Sequence, residues 1–256
     1  MYIFSMKRNK SADRKKNITK RLLREDQNRL VRYFRFEDTP FVSREQLVSG
    51  IQSIGINTSI PELLRCGLIQ VVYRNCVYRI SELKGTVSQL LPVLFEKDGP
   101  YYLGGLAAFH RLGFVDQVPN WYTVVNARRS GLQQRAGFKI HFRKRKIDFF
   151  YGINSDGLPD SERAAIDFCD AFGFSRWWRL IQEQPDVFNL ERMRQYAIRY
   201  PINRTARRVL YGLQQSGVAT SDDAKRVSTR SLIALEDGMG RGGKIDKRWG
   251  IIVSKS

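Results

Sequence analysis

The sequence predicts an α+β fold in two parts, a small helix–hairpin module followed by a larger helix-rich domain that contains a small basic sheet. Three observations predict it. Residues 40–80 run through two helix starts, two glycine stops and two β-rich stretches. Residues 138–143 alternate strictly between apolar and polar side chains, the period of a half-buried strand. Beyond residue 159, apolar positions recur at helical spacing between Pro, Asn and Gly boundaries. At 256 residues and 42% hydrophobic content, the chain has apolar material enough for two modest domains or one large one.

The elements follow in order. Residues 1–38 are a basic arm and a first helix. Residues 1–35 hold twelve Lys and Arg against three Asp and Glu, a net +9, and the first part is polar enough to be disordered when unbound. From about Thr19, the apolar positions Leu22, Leu23, Leu30, Val31 and Phe34 allow a helix. Residues 39–84 form the module. Ser43-Arg44-Glu45-Gln46 is a capping box, in which the Ser43 hydroxyl accepts from a backbone N–H three residues on and Gln46 reaches back. Leu47, Val48 and Ile51 give that helix an apolar face. A second helix starts at Ser59-Ile60-Pro61-Glu62, where proline in the first turn costs no intrahelical bond. Leu63 and Leu64 point inward, and Gly67 stops the helix in a left-handed conformation. Two β-rich runs, 68–73 and 76–80, then flank Arg74-Asn75 as a hairpin.

Helix, turn, helix, glycine and hairpin in this order is the plan of a winged helix-turn-helix. Asn57, Thr58 and Ser59 lead the second helix and face base edges in a major groove, with Arg65 at its end. Arg44, Arg74 and Asn75 make backbone or wing contacts. Against this, residues 36–80 carry four basic and four acidic side chains, so the module itself is neutral. A protein-interaction module that touches no DNA has the same outline.

Residues 85–220 form the larger domain. A helix over 85–100 carries Val87, Leu90, Leu91 and Leu94 and is kinked at Pro92; Gly99-Pro100 marks a boundary. Residues 103, 106, 107 and 110 share a helix face, with His110 a satisfied core histidine. Trp121–Asn126 is a strand. Arg128, Arg129, Arg135, Lys139, Arg143, Lys144, Arg145 and Lys146 follow with no acid between them, a second polyanion-facing patch or a solvated edge charged against strand pairing. Helices then begin at Asp160-Ser161-Glu162 and under Asn189 and Asn203 caps. In the last, Arg204, Arg207 and Arg208 lie opposite an apolar face of Ala206, Val209, Leu210 and Leu213. Residues 221–256 are a tail with a flexible break at 238–243, and Trp249–Val253 is a final strand docked on the domain.

Charge sets the class of partner. Forty-four Lys and Arg oppose 25 Asp and Glu, a net +19. Such an excess repels itself and points to a polyanion, nucleic acid before an anionic membrane surface. No apolar run nears the roughly 20 residues of a membrane span, and the N-terminus becomes charged too soon for a secretory signal. Cys66, Cys76 and Cys169 are odd in number and at no metal-ligand spacing, and read as buried side chains in a reducing cytosol. No hydrolase elbow or phosphate-binding loop is present, so no catalytic residue, metal or cofactor is expected. Asp148, Asp156, Asp160 and Glu162, with Lys144 and Lys146 upstream, leave open a metal-dependent nuclease of a mobile element. At Asp160 and Glu162 a helix N-terminus explains the charge better.

Residues 40–215 also resemble the AbiEi family, the antitoxins of abortive-infection type IV toxin–antitoxin systems. The resemblance rests on the short helix with Gly67-Leu68-Ile69 and Tyr78-Arg79-Ile80, on the stretch from Tyr102-Leu103-Gly104-Gly105 to Leu112-Gly113, and on Ser161-Glu162-Arg163-Ala164-Ala165-Ile166-Asp167. It implies a repressor that binds double-stranded operator DNA, often at inverted repeats, through its winged helix. It also implies an antitoxin domain that counters a nucleotidyltransferase-type toxin, with or without direct contact. The basic arm and the tail beyond residue 220 depart from the family pattern.

Overall fold

Capping residues and glycines place the first helices and turns. The computed structural model describes residues 22, 24–135, 137–227, 231–238 and 243–253. The basic arm before residue 22 and most of the glycine-rich break lie outside the described residues. The architecture is mixed α+β with three small, open sheets.

The N-terminal elements are α1 (Arg24–Phe36), β1 (Phe41–Ser43), α2 (Arg44–Ser53), α3 (Ile60–Arg65), β2 (Ile69–Tyr73) and β3 (Val77–Ile80). Both arms of the Ser43–Gln46 capping box form at the start of α2. In α3, Pro61 stands in the first turn, and Ser59 caps through its backbone only. Gly67 turns the chain at φ +74°, and Arg74 and Asn75 both take positive φ, 39° and 55°. That pair with the Cys76 N–H to Tyr73 carbonyl bond of 2.9 Å closes the hairpin, as two left-handed central residues require. The sequence gives no local sign of β1, three residues that pair antiparallel with β3 to set the order β1-β3-β2. Leu30, Phe34, Leu47, Leu63, Tyr78 and Ile80 fill the core beneath. Val48 was expected on the apolar face of α2 but is exposed, because that helix buries only the Leu47–Ile51 stripe and Gly50.

α4 (Val87–Phe95) runs on through Pro92 under a second capping box, Thr86 with Gln89. Then come β4 (Tyr101–Gly104), α5 (Gly105–Arg111), β5 (Tyr122–Asn126), β6 (Gly131–Arg135) and β7 (Phe138–Lys144). The helix expected across 103–110 therefore begins two residues later than Leu103. Tyr102 and Leu103 are drawn into a strand by antiparallel pairing with β5, and His110 is only half-buried. The sheet order is β4-β5-β7-β6, with β5 and β7 parallel. Its Val124, Ile140 and Phe142 join α4 and the Phe41–Val72–Val77 face of the first sheet in one shared apolar core.

The remainder is helical: α6 (Ser161–Phe172), α7 (Phe174–Glu183), α8 (Leu190–Arg199), α9 (Asn203–Gln215) and α10 (Ser221–Arg226). Asp160 and Asn189 cap α6 and α8 as their sequence positions imply, whereas Asn203 is the first residue inside α9 and makes no cap. A last sheet, β8 (Ile233–Ala234), β9 (Lys244–Asp246) and β10 (Ile251–Val253), packs on this layer in the order β8-β10-β9.

Two arginines hold that sheet, on a face of α9 that its sequence pattern makes polar. Arg207 and Arg208 were expected on the exposed side of α9, yet they are 0% and 2% exposed. Arg207 donates to the carbonyls of Trp249 and Ser231, both at 2.7 Å, and to that of Gly250. Arg208 donates to Ala234 and to Asp237, each at 2.8 Å. The C-terminal strands cover this side of α9, and their carbonyls replace water around the guanidinium groups. The cysteines divide similarly: Cys169 is buried, and burial pushes its thiol up, but Cys66 and Cys76 are exposed on the N-terminal module.

Candidate nucleic-acid interface

The residues picked out by sequence fall into two neighbouring groups. In the first, Asn57, Ser59 and Arg65 are exposed along α3 and its approach, while Thr58 is half-buried and its hydroxyl donates to Glu62 at 3.2 Å. The Ser59 hydroxyl makes no cap bond, so it remains available to a ligand. Arg44 opens α2, and its backbone N–H donates to the Cys76 carbonyl at 2.9 Å. That bond sets Arg44 beside the exposed Arg74–Cys76 turn. Arg74 extends from the neighbouring Tyr73 ring, 5.3 Å from its centroid.

In the second group the structure separates residues that the sequence runs together. Strands β5 and β7 lie parallel with Asn126 beside Lys144, so both end at the same edge of the sheet. Arg128 and Arg129 follow one end; Arg143, Lys144, Arg145 and Lys146 form the other. Lys139 lies four or more residues back along β7, opposite Gln134, with its ammonium 5.8 Å from the Trp121 ring. Arg135 pairs with Phe138 at that same far end.

Within the near group, two arginines are committed to packing. Arg129 is half-buried, forms an ion pair with Asp98, and stacks 4.1 Å from the Tyr73 ring centroid and 5.1 Å from that of Phe95. Burial lowers its pKa from the ordinary arginine value. Arg145 lies over Phe149 at 5.3 Å. By contrast, Arg143, Lys144 and Lys146 are exposed, and Arg128 is 64% exposed at the side chain, touching Asp98 only at 3.4 Å.

Asn126 organises the end of the sheet and escaped the sequence reading. It is 1% exposed, and its side-chain oxygen accepts from the backbone N–H groups of Arg128 at 3.0 Å and Arg129 at 2.5 Å. Its amide donates to the Arg129 carbonyl at 3.1 Å, and its own carbonyl accepts from Arg145 N–H at 2.9 Å. An Asn at a strand end followed by two arginines is the available signal, since such side chains hydrogen-bond the backbone two residues on.

The two groups meet across a cleft. Edge strand β2 of the first sheet faces edge strand β6 of the second, and the Gln133 amide donates to the Val72 carbonyl at 2.6 Å. Between hairpin and sheet lies an open cavity of about 740 Å³, lined by Tyr73, Arg74, Arg128, Arg129, Ser130 and Gln134 among others. Its three arginines face one carboxylate, Asp98.

The carboxylates of the nuclease alternative do not converge. Asp160 caps α6 and accepts from the Tyr196 hydroxyl at 2.8 Å. Glu162 is buried, paired with Arg192 at 2.6 Å and bonded to the Asn189 N–H at 2.7 Å. Asp148 and Asp156 are exposed on separate turns. Among the described residues, no group of three or more His, Cys, Asp or Glu is placed to hold a metal ion. Nor is any helix among them long and apolar enough to cross a membrane.

No protein-family model and no curated protein matches the sequence. The fold is similar to that in the crystal structure of RV2827C protein from Mycobacterium tuberculosis. That likeness has a TM-score of 0.58 at 14% identity and covers 91% of this chain and 92% of the other. At such identity it concerns fold alone, and it extends across both the hairpin module and the helical layer.

Proposed function

We propose that the protein is a DNA-binding transcriptional repressor and the antitoxin of a type IV toxin–antitoxin system. In this reading residues 39–84 act as a winged helix-turn-helix behind the first helix, and residues 85–220 are the antitoxin domain that the resemblance to the AbiEi family implies. The observation that carries the DNA part is the order α1, β1, α2, α3 and hairpin, with an unbonded Ser59 hydroxyl and exposed Asn57 and Arg65 on the reading helix. A short helix anchored by the buried Leu63 presents its polar side outward, as groove reading demands. Arg44, Arg74 and Asn75 take backbone contacts beside it. Residues 36–80 carry no net charge, and the basic sheet end and the arm supply the attraction that sequence-independent binding needs. The partners are double-stranded operator DNA and a nucleotidyltransferase-type toxin, the latter countered with or without direct contact. No catalytic step or cofactor is assigned.

The test is binding of Ser59→Ala and Arg65→Ala to the DNA upstream of the protein's own gene. Each base-reading change should cost about 1–3 kcal/mol and relax preference at one position. Unchanged affinity and unchanged sequence preference in both variants would refute α3 as the reading helix.

A further inference from the structure

The hairpin turn and the sheet end were separate features of the sequence, more than 50 residues apart, and the fold joins them. Tyr73, next to Arg74, is clamped by Arg129, whose guanidinium is itself fixed by Asp98. Asn126 then locks the Arg128–Arg129 turn and, through its carbonyl, the start of the Arg145–Lys146 segment. Gln133 ties the neighbouring strand edges. Arg74, Arg128, Lys144 and Lys146 are thus exposed cations carried on one bonded framework, with the polar cleft between the first two.

We infer that these four side chains form a single track for the sugar–phosphate backbone of duplex DNA, so that the second domain grips the same duplex that α3 reads. The inference rests on the DNA-binding reading and extends it to residues outside the winged helix. Cations carried on one hydrogen-bonded scaffold suit contact with phosphates, and little backbone freedom is lost on binding because these backbones are already fixed. Arg129 is not part of the track. Its charge is matched by Asp98, and its role is to position Arg74 and Arg128. An acidic protein surface is the competing occupant.

The test uses the full chain and a labelled duplex of the sequence upstream of its own gene, with affinity followed against salt. Arg128→Ala, Lys144→Ala and Lys146→Ala combined should lower the slope of log K against log salt by about 2.7, about 0.9 for each lost phosphate contact. The track predicts that Arg226→Ala, Lys247→Ala and Arg248→Ala, an equal loss of exposed charge on α10 and the C-terminal sheet, leaves the slope as in the parent. A parent-like slope in the first triple variant overturns the track while leaving the DNA reading in place, and so does an equal fall in both triples. A parent protein that binds no duplex at all overturns the DNA reading and the track together.

Discussion

Replacing Asn126 with alanine removes a buried side chain that shapes the basic end of the sheet. Four hydrogen bonds disappear: two from the N–H groups of Arg128 and Arg129, and two from its own amide to the carbonyls of Arg129 and Val124. A typical bond contributes about 1 kcal/mol net, and a buried group left unpaired costs about 1–3 kcal/mol. Two considerations reduce the sum. The bond to Val124 is long at 3.4 Å, and Arg128 is exposed, so water replaces part of what is lost there. The expected loss is about 2–3 kcal/mol, roughly 5–10 °C in Tm for a chain of this size. Urea unfolding followed by tryptophan fluorescence measures it, and amide exchange at Arg128 and Arg129 localises it. Stability within about 0.5 kcal/mol of the parent, the scatter of ordinary surface substitutions, with unaltered exchange at both amides would refute the claim that Asn126 holds this turn.

Other consequences follow from the same packing. Arg207→Leu removes the guanidinium donor from the carbonyls of Trp249, Ser231 and Gly250, leaving Gly250 only its bond from the Ile233 N–H, and should release β8 to β10 before the rest unfolds. Limited proteolysis then cuts within 231–253 under conditions where the parent is intact, and equal resistance would count against the anchor. Asp223, in the first turn of α10, is buried and accepts from Arg194 at 2.8 and 2.9 Å and from the Thr220 N–H at 2.7 Å, and the Arg194 bonds hold its carboxyl below the ordinary value. Because the folded pKa is the lower one, its stabilisation is complete above the unfolded value near pH 4 and fades as pH falls through the native one. Asp223→Asn should therefore lose about 1.5–3 kcal/mol at pH 7, and the gap to the parent should close below about pH 4. A gap that stays constant across that range contradicts the assignment.

What could be read from the sequence was local. The Ser43 capping box, the Pro61 helix start, the Gly67 stop and the Arg74–Asn75 turn all depend on residues within a few positions of one another, and each is in place. The alternation in β7 is local too. What escaped depends on distant partners. The three residues of β1 become a strand only through β3, and Tyr102 and Leu103 only through β5. The run of cations from Arg128 to Lys146 reads as uniform, yet Arg129 is neutralised by an aspartate 31 residues earlier and Arg145 is laid on an aromatic ring. Likewise, Arg207 resembles a solvated helix face until strands from the end of the chain cover it. Charge counts predict a field, and only the fold tells which cations remain to make it.

Competition binding separates sequence-specific recognition of DNA from attraction by charge alone. The protein is titrated with the duplex upstream of its own gene and with a scrambled duplex of equal length and composition, at rising salt. Base reading by α3 gives a preference for the upstream duplex that persists at about 200 mM salt, where counterion release has already removed most non-specific affinity. Equal affinity for both duplexes, collapsing together as salt rises, would mean that the net +19 charge does all the binding. That result would contradict the assignment of α3 as a reader of bases.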